Sequence, residues 1–454
     1  MFWSRHIRLV VMTVTLTKSP PVSSLGRFRW VICALLFAAT LINYMDREIL
    51  GILKPELDKH FGWTPNDYAL IVNAFQASYA FGQIVFGPIL AWLGTRSSFV
   101  VSIVIWSLAA SGTSLAGSVR GFAAARFGLG LGEGGNFPAC IRAVTEWFPQ
   151  RERSLATGYF NTGSSFGKVV APLLVPLLFV TVGWRVSFVL LGGAGFLWLV
   201  IWLIYYQPPA ESRHVKPAEL AHIQTLEPDG QTENEKAKLS WVRTLSFRHT
   251  WAYVFTGILV GPVWWFYGFW LPDVFNKMFK LNITQFGLPL ATVAVGAVLG
   301  SIGGGALSPF FMRRGWTVNA ARKTAALICA ICVLPVVLVP AIARAGAVKA
   351  RPALWAVWIS TLIFALANAA HQGWSATMYT VVSDMFPKNA VGSVVGLGGA
   401  IAAVASIAFA WYVGEKLTNT GVYDTILYIC GGAYVLALAI FHVIVPQIKP
   451  VRIE

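Results

Sequence analysis

A chain of 454 residues that is 56% hydrophobic and 12% charged, with mean hydropathy +0.64, carries about half the charged fraction of a soluble domain. Its net charge of +16 is spread in short clusters between apolar stretches, with no folded basic domain to grip a duplex, which excludes a nucleic-acid partner. Apolar stretches of ~18 residues or more recur throughout, the mark of a polytopic membrane protein in contact with lipid.

In chain order, residues 1–28 read as a basic cytoplasmic tail, because their short apolar run lacks a small-residue cleavage site. Six apolar spans follow, near 29–51, 68–93, 97–117, 120–147, 154–182 and 184–206, and form an N-terminal bundle over 29–206. Residues 207–250, with Pro208, Pro209, Pro217 and Pro228 among mixed charges, read as a cytoplasmic linker with a short surface helix around 217–225. Six more spans, near 251–276, 284–312, 321–345, 352–383, 391–414 and 423–445, form a C-terminal bundle over 251–446, and 447–454 is a tail. The fold class expected is therefore an all-α membrane protein of twelve transmembrane helices in two six-helix bundles. Most of the 35 Lys and Arg fall on one side if both termini and the linker are cytoplasmic, which sets the orientation. The loop 344–351, with Arg344, Lys349 and Arg351, is the discordant one.

The two halves repeat. Glu146-Trp-Phe-Pro149 closes the fourth span and Asp384-Met-Phe-Pro387 closes the tenth. At that offset Gly135 matches Gly373, Gly158 matches Gly396, and Glu133 falls on His371. Spans two and eight align so that Gly82 meets Gly300 and Gly87 meets Gly305. Parallel six-span repeats around a midplane site are a transporter plan.

The fourth span carries Arg126 and Glu133 on one face of a glycine-rich helix, and the first ends Asn43-Tyr44-Met45-Asp46-Arg47-Glu48. Ionisable groups in hydrocarbon mark a solute or proton path by default. Asp46, Glu48 and Glu133 are read as the acids lying within spans, with Glu48 near the solvated outer end. Asp46 and Glu133, with cations nearby, suit proton coupling. Arg47 and Arg126 suit an anionic solute, since a guanidinium holds a carboxylate bidentately. Tyr44, Gln76, Tyr79, Asn161 and Ser164 could complete a pocket from the first half; Trp264, Trp265, Tyr267, His371, Gln372, Trp374 and Ser375 from the second. His371 is either a titrating partner to Glu133 or a satisfied core histidine. Lys168, one turn after Ser164, either adds a cation to the pocket or snorkels along water.

Other motif matches carry no chemistry. Gly130-Leu-Gly132-Glu-Gly134-Gly135 and Gly163-Ser-Ser165-Phe-Gly167 fit a dinucleotide loop and a nucleophile elbow, but neither follows a strand. Cys329 and Cys332 lack a second pair, and Cys33, Cys140 and Cys430 are likewise read as small buried hydrophobes. No enzyme, metal site or cofactor is expected; the coupling ion is a proton.

Over nearly its whole length, 29–446, the chain resembles the major facilitator superfamily, and within it the anion:cation symporter branch. The residues that carry this are Asn43 to Arg47; Arg126 with Gly130, Glu133, Gly134, Gly135, Asn136 and Pro138; Trp147-Phe-Pro149 with Arg153; and His371-Gln-Gly-Trp374-Ser-Ala through Ser383-Asp-Met-Phe-Pro387 to Val391-Gly-Ser-Val. The last stretch is most similar to hexuronate transporters, which import glucuronate and galacturonate with protons. The resemblance implies alternating access, Arg47 and Arg126 near the substrate carboxylate, proton coupling at Asp46 and Glu133, and a pocket lined by Tyr44 and Tyr79. Three positions depart from the family pattern. Ala91 and Pro309 stand where an acidic gate residue is usual, and Lys168 replaces a small or apolar residue. The function expected is a monomeric, proton-coupled importer of a carboxylated sugar, a hexuronate, in a bacterial inner membrane. Aldonate, glucarate or aromatic-acid symport, or a transporter-derived ligand sensor, are the alternatives.

Overall fold

The computed structural model describes residues 26–224, 244–348 and 351–451; most of the N-terminal tail, the middle of the linker and the last three residues lie outside them. The described residues are predominantly helical, with α1 (Phe28–Phe61), α2 (Pro65–Gly112), α3 (Val119–Glu133), α4 (Asn136–Trp147), α5 (Gln150–Tyr205) and α6 (Pro217–Ile223) in the first half. The second half holds α7 (Arg248–Phe279), α8 (Gly287–Arg313), α9 (Val318–Val333), α10 (Val339–Ala345), α11 (Leu354–Met385), α12 (Lys388–Thr420) and α13 (Asp424–Ile444). A two-residue antiparallel ladder, Ala347–Val348 with Arg351–Pro352, joins α10 to α11.

Local sequence sets the helix ends. Gly62 terminates α1 in the left-handed conformation, its N–H bonded to the Asp58 carbonyl at 2.8 Å. Thr64 and Asp67 then form a reciprocal capping box and Pro65 occupies the first turn of α2.

Nine helices among the described residues are long and apolar enough to cross a membrane, where twelve separate spans are expected from the sequence. The difference has a local cause. Gly94 (φ 73°) and Gly183 (φ 77°) interrupt α2 and α5 inside what are otherwise continuous helices, in a region of backbone space that only glycine enters freely. The segment 120–147 is divided into α3 and α4 at Gly134 and Gly135. The breaks at 94 and 183 coincide with the expected gaps between the second and third and the fifth and sixth spans.

The repeat is visible in the packing. A Cβ on Gly82 would lie 2.5 Å from the Leu131 carbonyl oxygen, and one on Gly300 would lie 2.2 Å from the Ala369 backbone. Gly300 matches Gly82 in the repeat, and Ala369 matches Leu131 at the offset that relates Glu146 to Asp384. The same backbone approach therefore closes α2 on α3 and α8 on α11. The two acids are also equivalent in use: Glu146 accepts from Thr95 Oγ1 at 2.6 Å and Asp384 from Arg322 Nε at 2.9 Å, each at the start of the third span of its half. Glu146 further binds Tyr206 Oη (2.6 Å) and Arg142 Nε (3.1 Å), so this end of the first half is tied together without an acid at Ala91.

The expected linker helix is α6, and it is docked. Glu219, fully buried, accepts hydrogen bonds from the backbone N–H groups of Phe28 and Arg29 and from the Arg29 guanidinium (3.2 Å). Arg29 also pairs with Glu152 at 2.9 Å, and His222 of α6 reaches the same carboxylate at 2.9 Å. We call this end of the molecule the linker end.

At the far end, α1 and α7 meet across the two halves. Lys54 is wholly buried and pairs with Asp273 at 2.9 Å and with Asp58 at 2.5 Å; Asp273 also takes Lys277 at 3.3 Å and the Tyr423 hydroxyl. Tyr68 of α2 donates to the Phe269 carbonyl at 2.8 Å and packs edge-on against Trp270. Asp273 corrects the reading of Asp46, Glu48 and Glu133 as the acids within spans. It lies inside the segment 251–276, as Glu146 and Asp424 lie at the ends of 120–147 and 423–445, and it is the buried partner of Lys54.

Candidate transport site

Between the halves lies a cavity of about 540 Å³, lined by α1, α4, α5, α7, α8, α11 and α12. That is ample for a small polar solute, since ligand sites commonly run from ~300 to 1,000 Å³. It extends from Tyr253 and Tyr379, toward the linker end, to Lys168, Trp264 and His371 at mid-height. Beyond these the Tyr68–Phe269 and Lys54–Asp273 contacts shut the far end.

The sequence-derived site residues separate into three groups. Tyr44, Asn161, Ser164, Lys168, Trp264, Trp265, His371, Gln372, Trp374 and Ser375 all line the cavity. Gly163 and Gly167 bring this face of α5 onto α1, since a Cβ on Gly167 would lie 2.7 Å from the Leu41 carbonyl oxygen and 2.9 Å from Tyr44 Cβ. On the opposite wall, His371 stacks on Trp264 (centroids 4.6 Å apart, 9° between planes), and its Nδ1 is hydrogen-bonded to Tyr434 Oη. Its Nε2 lies 3.4 Å from Ser375 Oγ. His371 is thus both held by core partners and open to the cavity.

Behind Tyr44 lies the charged group. Arg47 donates from Nε (3.0 Å) and Nη2 (2.8 Å) to a single oxygen, Oε2, of Glu133, leaving Glu133 Oε1 buried with no hydrogen-bond partner among the described residues. The guanidinium lies 4.6 Å from the ring centres of both Tyr44 and Tyr79, with Phe75 and Trp265 completing an aromatic cage. Asp46, the preceding residue of α1, is 1% exposed, and neither of its carboxyl oxygens has a hydrogen-bond partner among the described residues.

Arg126 stands apart from the cavity. It is 1% exposed, and its Nη1 donates to the main-chain carbonyls of Asp46 (3.1 Å) and Arg47 (3.4 Å). In this state it clamps the turn of α1 that carries Asp46 and Arg47. Tyr267 is also buried outside the main cavity and lines a smaller pocket at its far side, together with Glu48, Lys168 and Asn368. Glu48, expected at the solvated outer end, is instead partly buried there.

The pattern of the major facilitator superfamily matches residues 36–410. The chain belongs to the major facilitator superfamily. As a member of it the protein is an integral membrane transporter and not an enzyme. It is 30% identical over 394 residues to the hexuronate transporter of Escherichia coli (strain K12), covering 87% of this chain and 88% of that one. It is 31% identical over 292 residues to the galacturonate transporter of Dickeya chrysanthemi, covering 64% of this chain and 84% of the relative. Among solved structures, the D-xylose-proton symporter superposes with a TM-score of 0.72 at 17% identity, over 93% of this chain and 99% of that one.

Several groups around this superfamily member's cavity escape sequence reading. Tyr434, the partner of His371, comes from the last helix, in a stretch whose aromatic residues look like ordinary core. Thr256 lies about two helical turns before Trp264 on α7, and Ser301 lies on α8; both reach the cavity. The spacing from Trp264 is a local signal for Thr256 alone.

Proposed function

We propose that the protein is a proton-coupled symporter that imports a sugar-acid anion, a hexuronate, by alternating access between two six-helix bundles. Counting each half of the broken α2 and α5 separately, with α3–α4 and α9–α10 as one span each, gives the twelve-span arrangement. Both termini and the linker are then cytoplasmic, in a bacterial inner membrane, and the cavity faces the cytoplasm.

The observation that carries the coupling is the buried Arg47–Glu133 pair beside the cavity. While Glu133 is ionised it occupies the Arg47 fork. Protonating Glu133 withdraws that claim and frees a bidentate carboxylate receptor already caged by Tyr44 and Tyr79. Asp46 offers a second carboxyl, buried without a partner among the described residues, where a proton removes the cost of an unpaired charge in an apolar setting. Arg126 holds both residues in register by binding their carbonyls. The names of the relatives point to the solute: hexuronate and galacturonate carriers match this chain over most of their own lengths. Amides and hydroxyls at Asn161, Ser164, Gln372 and Ser375, with Trp264 and Trp374, supply what a polyhydroxylated ring needs.

The test is uptake into proteoliposomes of purified protein under an imposed pH gradient. D-Glucuronate or D-galacturonate should accumulate above the external concentration, and a protonophore should abolish the accumulation. Uphill uptake that ignores the protonophore would remove the coupling, and uptake confined to aldonates, aldarates or aromatic acids would replace the substrate.

A further inference from the structure

Lys168 is the single formally charged side chain among the described residues that line the main cavity. The other cations of the region are engaged: Arg47 with Glu133, Arg126 with main-chain carbonyls of α1. Lys168 has no hydrogen bond or ion pair among the described residues. Glu48, which lines the far-side pocket with it, stays outside salt-bridge distance. What Lys168 does have is aromatic support: its ammonium sits 3.6 Å from the centre of the Trp264 ring and 5.5 Å from that of Tyr44. A π face attracts a cation but accepts from at most one of its three N–H groups, so donors remain for the cavity. Trp264 is itself pinned by stacking on His371, which fixes the ammonium in place.

A cavity with polar lining and a single cation, whose one nearby acid, Glu48, stays beyond salt-bridge distance, favours an anion at that cation. From this we infer that Lys168 is the docking point for the carboxylate of the transported solute in the state seen here. It acts while Arg47 is held by Glu133, and it makes Lys168 a determinant of specificity for anions carrying one carboxylate. Tyr44, whose ring faces both Lys168 and Arg47, places the two cations side by side along the solute's path. The inference rests on the reading that the solute is a sugar acid.

The test compares the wild type with Lys168→Gln, Lys168→Met and Lys168→Arg in proteoliposomes. The solutes are D-glucuronate, D-galactonate and D-glucarate, with the methyl ester of glucuronate as uncharged competitor. Gln and Met should raise the KM for the acid at least tenfold with Vmax within about twofold. They should also erase the wild type's preference for acid over ester, while Arg should restore both. Folded variants with unchanged KM, a loss confined to Vmax, or an equal loss for acid and ester would overturn the inference. If the wild type moves galactonate or glucarate but no hexuronate, the substrate reading fails and Lys168 is judged on the acid that is moved. If it moves none of the three, both fail.

Discussion

Arg47 and Glu133 hold each other at 2.8 Å and both are buried, so each is the counter-charge of the other. Removing one partner strands the other, at a cost of about 3–5 kcal/mol, whereas removing both can be nearly neutral. Arg47→Gln should therefore lower the thermal midpoint of the detergent-solubilised protein sharply. Arg47→Gln with Glu133→Gln should recover most of it while transport stays lost. A double variant no more stable than the single one would show that the pair does not carry this energy. The spacing of Arg126 and Glu133 marks both as groups of interest, but it does not reveal their partners. Seven residues rise ~10 Å along a helix, too far for a direct pair, so the choice falls to whatever another helix presents. Glu133 found Arg47 of α1, and Arg126 found carbonyls of the same turn. The Lys54–Asp273 pair was hidden for the same reason: a charge in a span is legible, its partner across 219 residues is not.

At the scale of elements, the helices were legible where sequence periodicity and punctuation agree. Glu146-Trp-Phe-Pro149 and Asp384-Met-Phe-Pro387 mark equivalent helix ends, and they relate the backbone contacts Gly82–Leu131 and Gly300–Ala369. The boundaries inside α2 and α5 were legible as well, since the expected gaps fall at Gly94 and Gly183, where the backbone leaves helical geometry. The glycine contacts make a prediction of their own. Both neighbours are main chain, so a side chain at either glycine forces the helices apart. Gly82→Val and Gly300→Val should each destabilise by about 1–3 kcal/mol, visible as an earlier thermal midpoint. Gly87→Val should not, since a Cβ there meets nothing within 4 Å. Equal effects at Gly82 and Gly87 would deny that close backbone approach is what the repeat preserves.

Over the whole molecule, the cavity and the closed far end are two sides of one state. The cluster of Lys54, Asp58, Asp273, Lys277 and Tyr423 joins α1, α7 and the residue that precedes α13, and so ties the first half to the second. In the proposed cycle this cluster breaks when the far end opens, and a ligand or a mutation shifts the balance only through such differential contacts. Asp273→Asn removes the charge that Lys54 pairs with and should favour the opposite state. A cysteine at Ser301, a cavity-lining position, would then react severalfold more slowly with an impermeant maleimide from the linker end, once the native cysteines are replaced. An unchanged rate would mean that the cluster is only structural.

The central claim is that the proton acts by releasing Arg47 from Glu133, and Glu133→Gln addresses it most directly. With the acid neutral whatever the pH, Arg47 stays available, so the variant should still exchange internal for external hexuronate in counterflow. It should also lose accumulation driven by a pH gradient. Gradient-driven accumulation by Glu133→Gln at the wild-type level would contradict the account.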